Sequence, residues 1–229
     1  MSCTRESPYL LAIETVRHLI LSLLTLTLLD VTGGHAQPIE LSVSPRAGQL
    51  LLDRSLQDFR WDVRAQTRVG IELGAQRGAW SLALSADRAH TVQSTGIPGA
   101  TVAPRVNWTE VGLQLRRHVD LPAGLSAHAG LRAGRLMLAW DPQRLSLSAP
   151  GVSGNIDVVY DDVSSWIFGP QLGLSWSVHP SVDLVGRGEI SRFQLDTAYQ
   201  SNGSIIEERR SFTSWQWSLG VAVHPWSWQ

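Results

Sequence analysis

His179, Ser181 and Asp183 fall in one short stretch. They are the three groups that nucleophilic acyl transfer needs: a hydroxyl to attack, an imidazole to take its proton, and a carboxylate to orient the imidazole. The spacing specifies little by itself, because His-Pro recurs at His224-Pro225, as a turn preference would make it. His90 with Asp87 is a second histidine–acid pair. Asp157, Asp161 and Asp162 offer carboxylates to a cation, but they lack the alternating ligand spacing and the glycine of a calcium loop. A solvated loop is the expected reading, with no metal ligands and no cofactor. A larger set of charges is dispersed along the chain: Glu72, Glu110, Arg116, Arg132, Arg187 and Glu189. Each stands in the middle of a stretch whose neighbours are apolar, and that placement sets what those charges can do.

From Trp166 to Val178 the even positions are Trp, Phe, Pro, Leu, Leu, Trp and Val, and the odd ones are Ile, Gly, Gln, Gly, Ser and Ser. Alternation with a period of two over a dozen residues makes a strand with one apolar and one small, polar face. After His179-Pro180-Ser181 the pattern resumes, with Val182, Leu184 and Ile190 against Asp183, Arg187 and Glu189. The two runs form a β-hairpin. Glycine and paired charge on the polar face are the filling of a narrow closed barrel, where charges must find partners to offset desolvation. The apolar face then meets lipid. Glu72, Glu110, Arg116, Arg132, Arg187 and Glu189 are thereby expected to form a charge network in the lumen, either as a structural plug or as part of a pore or proton path.

The rest of the chain repeats the pattern. Ile39, Leu41 and Val43 alternate with Glu40, Ser42, Ser44 and Arg46, and Val69 to Ala75 alternates with Arg68 to Gln76. Trp80 to Ala86 and Val111 to Leu115 follow. Leu125 to Ala133 is the fifth strand, and its apolar parity shifts at Leu136, Leu138 and Trp140, which predicts a bulge near Gly134-Arg135. The hairpin supplies the sixth and seventh strands, and Trp215 to Val223 the eighth. Tight connections at 76–78, 120–124 and 179–181 alternate with long polar stretches at 53–67, 88–107, 141–165 and 196–211. The Gly, Pro, Ser and Asp of those stretches are loop-formers.

Among 229 residues with a formal net charge of −1, no basic footprint for nucleic acid stands out. Leu19–Leu29 is apolar, too short to span a bilayer, preceded by Arg17 and His18 and followed by Gly34-His35-Ala36. Those are the parts of a secretory signal with its cut after Ala36. Residues 1–36 are the expected signal peptide, Gln37 the first mature residue, and 37–229 the barrel domain. The sole cysteine, Cys3, lies in the segment to be removed, which leaves no disulfide framework. Trp140, Trp166 and Trp215 fall at the long-loop ends of their strands, and Trp80, Trp176, Trp226 and Trp228 near the short-turn ends. Two aromatic belts at the levels of the lipid headgroups follow.

Signal segment, eight alternating strands, three tight turns and four long loops together resemble the small outer-membrane β-barrels of the OmpA and OmpX type. The resemblance covers the whole mature chain. It implies an all-β, eight-stranded antiparallel up-and-down transmembrane barrel in the outer membrane of a Gram-negative bacterium. It also implies contact with outer-membrane lipid and lipopolysaccharide, and insertion by the barrel-assembly machinery. No peptidoglycan-binding domain is expected after the eighth strand. Trp228 stands out of parity with Trp217 to Val223, whereas the family commonly ends on an aromatic in register with the outer face. The His179-x-Ser181 spacing is also similar to that of an outer-membrane lipid A deacylase family built on eight strands. The function expected is therefore a non-enzymatic structural or loop-mediated surface role. The rivals are a lipid A-modifying hydrolase and a secreted soluble barrel that binds a hydrophobic ligand.

Overall fold

The computed structural model describes residues 38–95, 103–148, 155–201 and 204–228. The signal segment and the Ala36/Gln37 junction lie outside them. Among the described residues ten strands run in chain order: β1 (Ile39–Leu52), β2 (Gln66–Arg77), β3 (Trp80–Val92), β4 (Arg105–Leu121), β5 (Leu125–Asp141), β6 (Arg144–Ser148), β7 (Asn155–Val159), β8 (Val163–His179), β9 (Val182–Ser201) and β10 (Ser204–Trp228). Eight of them close into an antiparallel barrel in the order β1-β10-β9-β8-β5-β4-β3-β2, and β6 and β7 pair with each other outside it.

The turns show why neighbouring strands lie side by side. Gly78, at φ 56°, takes the left-handed conformation that a two-residue hairpin turn needs. Pro122–Gly124 turns β4 into β5, and Pro180-Ser181 turns β8 into β9.

Alternation holds along each wall. Leu172 is 65% exposed on the outside, while its neighbour Gln171 is 1% exposed inside. Val69, Ile71, Leu73, Leu115, Leu131 and Leu219 face outward in the same way. The apolar face is the outer face.

The bulge expected near Gly134-Arg135 does not form. The register of β5 is unbroken against both β4 and β8. What changes is the chemistry of the lumen: Leu136, Leu138 and Trp140 are buried inside it. At the long-loop end the interior is apolar, so apolar residues occupy the inward parity there. A real shift lies at the seam, where Val43 pairs with Val223 but Leu41 pairs with Trp226. One extra residue in β10 around His224-Pro225 restores positions 226 and 228 to the register of Leu41 and Ile39.

The four long polar stretches also hold more strand than their composition suggests. β3 runs to Val92, β4 begins at Arg105, and β9 and β10 stay paired out to Ser201 and Ser204. The stretch 141–165 carries the β6–β7 hairpin, and 53–67 carries a 3-10 helix, Arg54–Phe59. Asp53 caps that helix by accepting from the Ser55 N–H at 3.0 Å. Burial alone would raise the Asp53 carboxyl, and its hydrogen bonds from Ser55 and Thr213 outweigh this and lower its pKa.

Candidate functional site

The lumen holds two packed layers and, toward the short turns, a cavity. Nearest the long loops is an apolar layer in which Trp108 meets Phe193 edge-on at 5.2 Å, and Phe193 lies 5.9 Å from Phe212. Leu56, from the 3-10 helix, and Leu50 and Leu136, from the barrel wall, complete its packing.

Below it is a layer of charge. Arg132, on β5, reaches Glu110 at 2.6 Å, Glu189 at 2.9 Å and Asp87 at 3.1 Å. Asp87 also holds Arg46 at 2.6 Å and Arg68 at 2.7 Å. Glu72 is shared by Arg116 at 2.5 Å, Arg187 at 2.5 Å and Arg46 at 3.1 Å. Neutral groups fill the gaps: Gln216 donates to Glu110 at 2.9 Å, and Arg187 donates to Gln114 at 3.1 Å. The Trp108 indole N–H donates to Glu110 at 2.6 Å and so ties the apolar layer to the charged one.

Each of these side chains enters because it stands on the inward parity of a closed sheet. Glu72, Glu110, Arg116, Arg132, Arg187 and Glu189 all meet in this one layer. Arg46, Arg68 and Asp87 belong to it as well, and sequence reasoning left them out. Their signal was available: Arg46 and Arg68 share parity with the polar residues of their strands, and Asp87 continues the row Ser81, Ala83, Ser85.

Toward the short turns the lumen opens into a polar cavity of about 810 Å³, lined among others by His118, His128, Ser126, Ser175 and His224. His118 and Ser81 share a hydrogen bond of 2.7 Å.

The outer wall carries exposed Trp80, Trp166, Trp176 and Trp215. Trp140 was expected with them and is a correction. It points into the lumen, where its N–H donates to Gln93 at 2.7 Å and its ring stacks on Tyr160 at 5.8 Å. The loop-end lumen is apolar enough to take a ring that the period-two rule assigned to lipid. The side chains of Trp226 and Trp228 lie outside the described ones.

No family model and no curated protein matches this chain. Among solved structures, the neisserial surface protein NspA superposes with a TM-score of 0.52 at 15% identity, over 80% of this chain and 96% of its own. The outer membrane protein OprG of Pseudomonas aeruginosa superposes with a TM-score of 0.50 at 11% identity, over 83% of this chain and 97% of its own. The fold is that of the small eight-stranded outer-membrane barrels. At such identities the likeness speaks for the fold alone.

On this outer-membrane barrel fold the acyl-transfer groups do not assemble. The Ser181 N–H donates to His179 Nδ1 at 3.2 Å, an interaction that closes the turn. Asp183 accepts from or donates to no part of His179; it pairs with His224 Nε2 at 2.9 Å. The acid thus orients a different histidine. Asp87 and His90 stand on opposite faces of β3, one buried and one exposed. Asp157 accepts from Ser146 at 2.6 Å, and Asp162 accepts from Gln143 at 3.0 Å. Among the described residues no group of three possible metal ligands converges. Substituting His179→Ala or Ser181→Ala is therefore expected to leave the acylation of the host's lipid A unchanged on mass spectra. A change that follows either residue would reinstate the hydrolase.

Proposed function

We propose that the protein is a small, non-enzymatic outer-membrane barrel that acts through the surface built beyond its long-loop ends. It is exported as a precursor cut after Ala36, inserted by the barrel-assembly machinery, and surrounded by outer-membrane lipid and lipopolysaccharide. An intact mass that still held residues 1–36 on the folded, envelope-located protein would remove the cleavage from this reading.

The observation that carries the reading is the pair Leu172 and Gln171: a mid-strand leucine in the open on the outer wall, beside a glutamine sealed in the lumen. A soluble barrel that bound a hydrophobic ligand inside would have the opposite faces, because apolar surface leaves water wherever it can. In a bilayer the arrangement is favourable, since the apolar wall meets hydrocarbon and the closed sheet gives each of its strands a neighbour on both sides. The apolar layer and the ion-paired layer beneath it fill this part of the lumen with packed and paired side chains, which favours a plug over a pore.

Labelling tests the orientation. A cysteine at position 172 should react with a lipid-dissolved reagent and be shielded from a water-soluble one. Protection from both, with ready aqueous labelling at position 171, would mean that the barrel is not embedded. Leu172→Arg forces a charge into hydrocarbon near mid-depth and should cost about 2–4 kcal/mol in bilayer unfolding titrations. Gln171→Ala should cost about 1 kcal/mol or less.

A further inference from the structure

A second, separate feature lies on the outer wall at the long-loop end. Arg135 on β5, Arg192 on β9 and Arg209 on β10 line one concavity of about 270 Å³, together with Ser164, Trp166 and Phe168. Register explains the convergence: Arg135 pairs with Trp166, Arg192 with Phe168, and Arg209 with Asp196, all on the outer parity. The three arginines are held differently. The Arg135 guanidinium donates to Ser164 Oγ at 2.7 Å and lies 5.0 Å from the centroid of the Trp166 ring. Arg209 is paired with Asp196 at 3.4 Å. Arg192 is exposed and has no carboxylate partner among the described residues. Among the described residues these three guanidinium groups share one carboxylate, and two of them are pinned in place, which leaves a surplus of positive charge and free donors in a concave pocket.

The pocket opens downward onto apolar wall. Trp166 and Phe168 stand in it, and Leu172 follows on the same face of β8, all well exposed. An occupant that satisfied both parts would carry an oxyanion at one end and hydrocarbon chains at the other. The planar guanidinium fork matches phosphate in two-point geometry and remains charged at any relevant pH.

We infer that this pocket is a binding site for the phosphate of an anionic lipid headgroup in the leaflet on the long-loop side, with the lipid's chains laid against Phe168 and Leu172. The site rests on the membrane reading above and adds to it a specific place and a ligand chemistry.

The test uses the whole barrel in phosphatidylcholine nanodiscs, titrated with bisphosphorylated lipid A and with its dephosphorylated form. Lipid retained on release is read by native mass spectrometry. The phosphorylated lipid should be held about ten-fold or more tightly over the dephosphorylated one. Arg192→Gln should abolish most of that preference, and Arg192→Lys, which keeps the charge without the fork, should lose part of it. Arg88→Gln, an exposed arginine on β3 away from the pocket, should leave the preference intact. An equal loss from Arg88→Gln would make the effect one of general surface charge and overturn the site. Competition by soluble glucosamine phosphate at matched concentration would make the occupant a free phosphate rather than a lipid, and would overturn the proposal as well. Quenching of tryptophan fluorescence by brominated-chain phosphatidylcholine separates the two readings. No quenching sinks the membrane reading, whereas quenching without phosphate preference sinks only the site.

Discussion

Arg132→Met is expected to destabilise the barrel by about 3–5 kcal/mol, the usual result of stripping one partner from a buried ion-pair network. The cost follows from what remains. Asp87 keeps Arg46 at 2.6 Å and Arg68 at 2.7 Å, and is little affected. Glu189 keeps only looser partners, Arg46 and Arg68 at 3.6 Å each and Arg187 at 3.9 Å. Glu110 loses its 2.6 Å partner, and its one remaining cation is Arg68 at 3.5 Å. A buried carboxylate held mainly by the neutral donors of Trp108 and Gln216 is the expensive species. Combining Arg132→Met with Glu110→Gln should therefore recover much of the loss, a coupling that urea titration of the lipid-embedded barrel can measure. If the single substitution costs less than about 1 kcal/mol, water already solvates the layer, and its charges do not act as a plug.

Trp108→Ala should have an effect of the same order, about 3–5 kcal/mol, because a fully buried aromatic leaves a cavity that its neighbours fill only in part. Two contributions are separable here. Trp108→Phe keeps an aromatic ring against Phe193 but removes the N–H that serves Glu110, and should cost about 1–3 kcal/mol. If Phe proves as damaging as Ala, the hydrogen bond to the charged layer dominates. If Phe is neutral, packing in the apolar layer accounts for the whole effect. Either outcome is read from the same unfolding curves.

The barrel was legible wherever one solvent bounded each face. Along the middle of the wall the outer face is apolar and the inner face polar, so residues such as Leu172 and Gln171 declare their sides by type alone. The rule reverses at Leu136, where the lumen itself turns apolar, and the same leucine-and-tryptophan pattern that meant "outward" lower in β5 means "inward" there. A one-sequence reading has no way to register that change of surroundings, so it inferred a bulge and assigned Trp140 to the lipid belt. Strand ends were missed for a related reason. Beyond the apolar belt of the outer wall β9 and β10 carry polar residues outside as well, and Asp196 to Ser211 reads as loop although it remains paired. The charge network was readable as a set of inward parities, but its geometry was not. That Glu72 serves three arginines, or that Asp87 joins β3 to β1, β2 and β5, depends on distances across the lumen that no alternation encodes. The pairing of Asp183 with His224 rather than His179 is of the same kind.

The seam between β1 and β10 bears on how the molecule comes into being. Neighbouring hairpins such as β2–β3 and β8–β9 can form from local chain, but Ile39 meets Trp228 across nearly the whole described sequence. The entropy lost in joining distant ends grows only slowly with chain length, about 0.6 kcal/mol per doubling, so the join is not thermodynamically prohibitive. Its burden is one of timing. Until the C-terminal strand arrives, β1 and whichever strand is newest each present an unpaired row of N–H and C=O groups, a template on which other chains can stack. Such a polypeptide must be kept from its own kind during the interval between synthesis and closure. Once the last ladder zips up, both vulnerable borders vanish together in a single event.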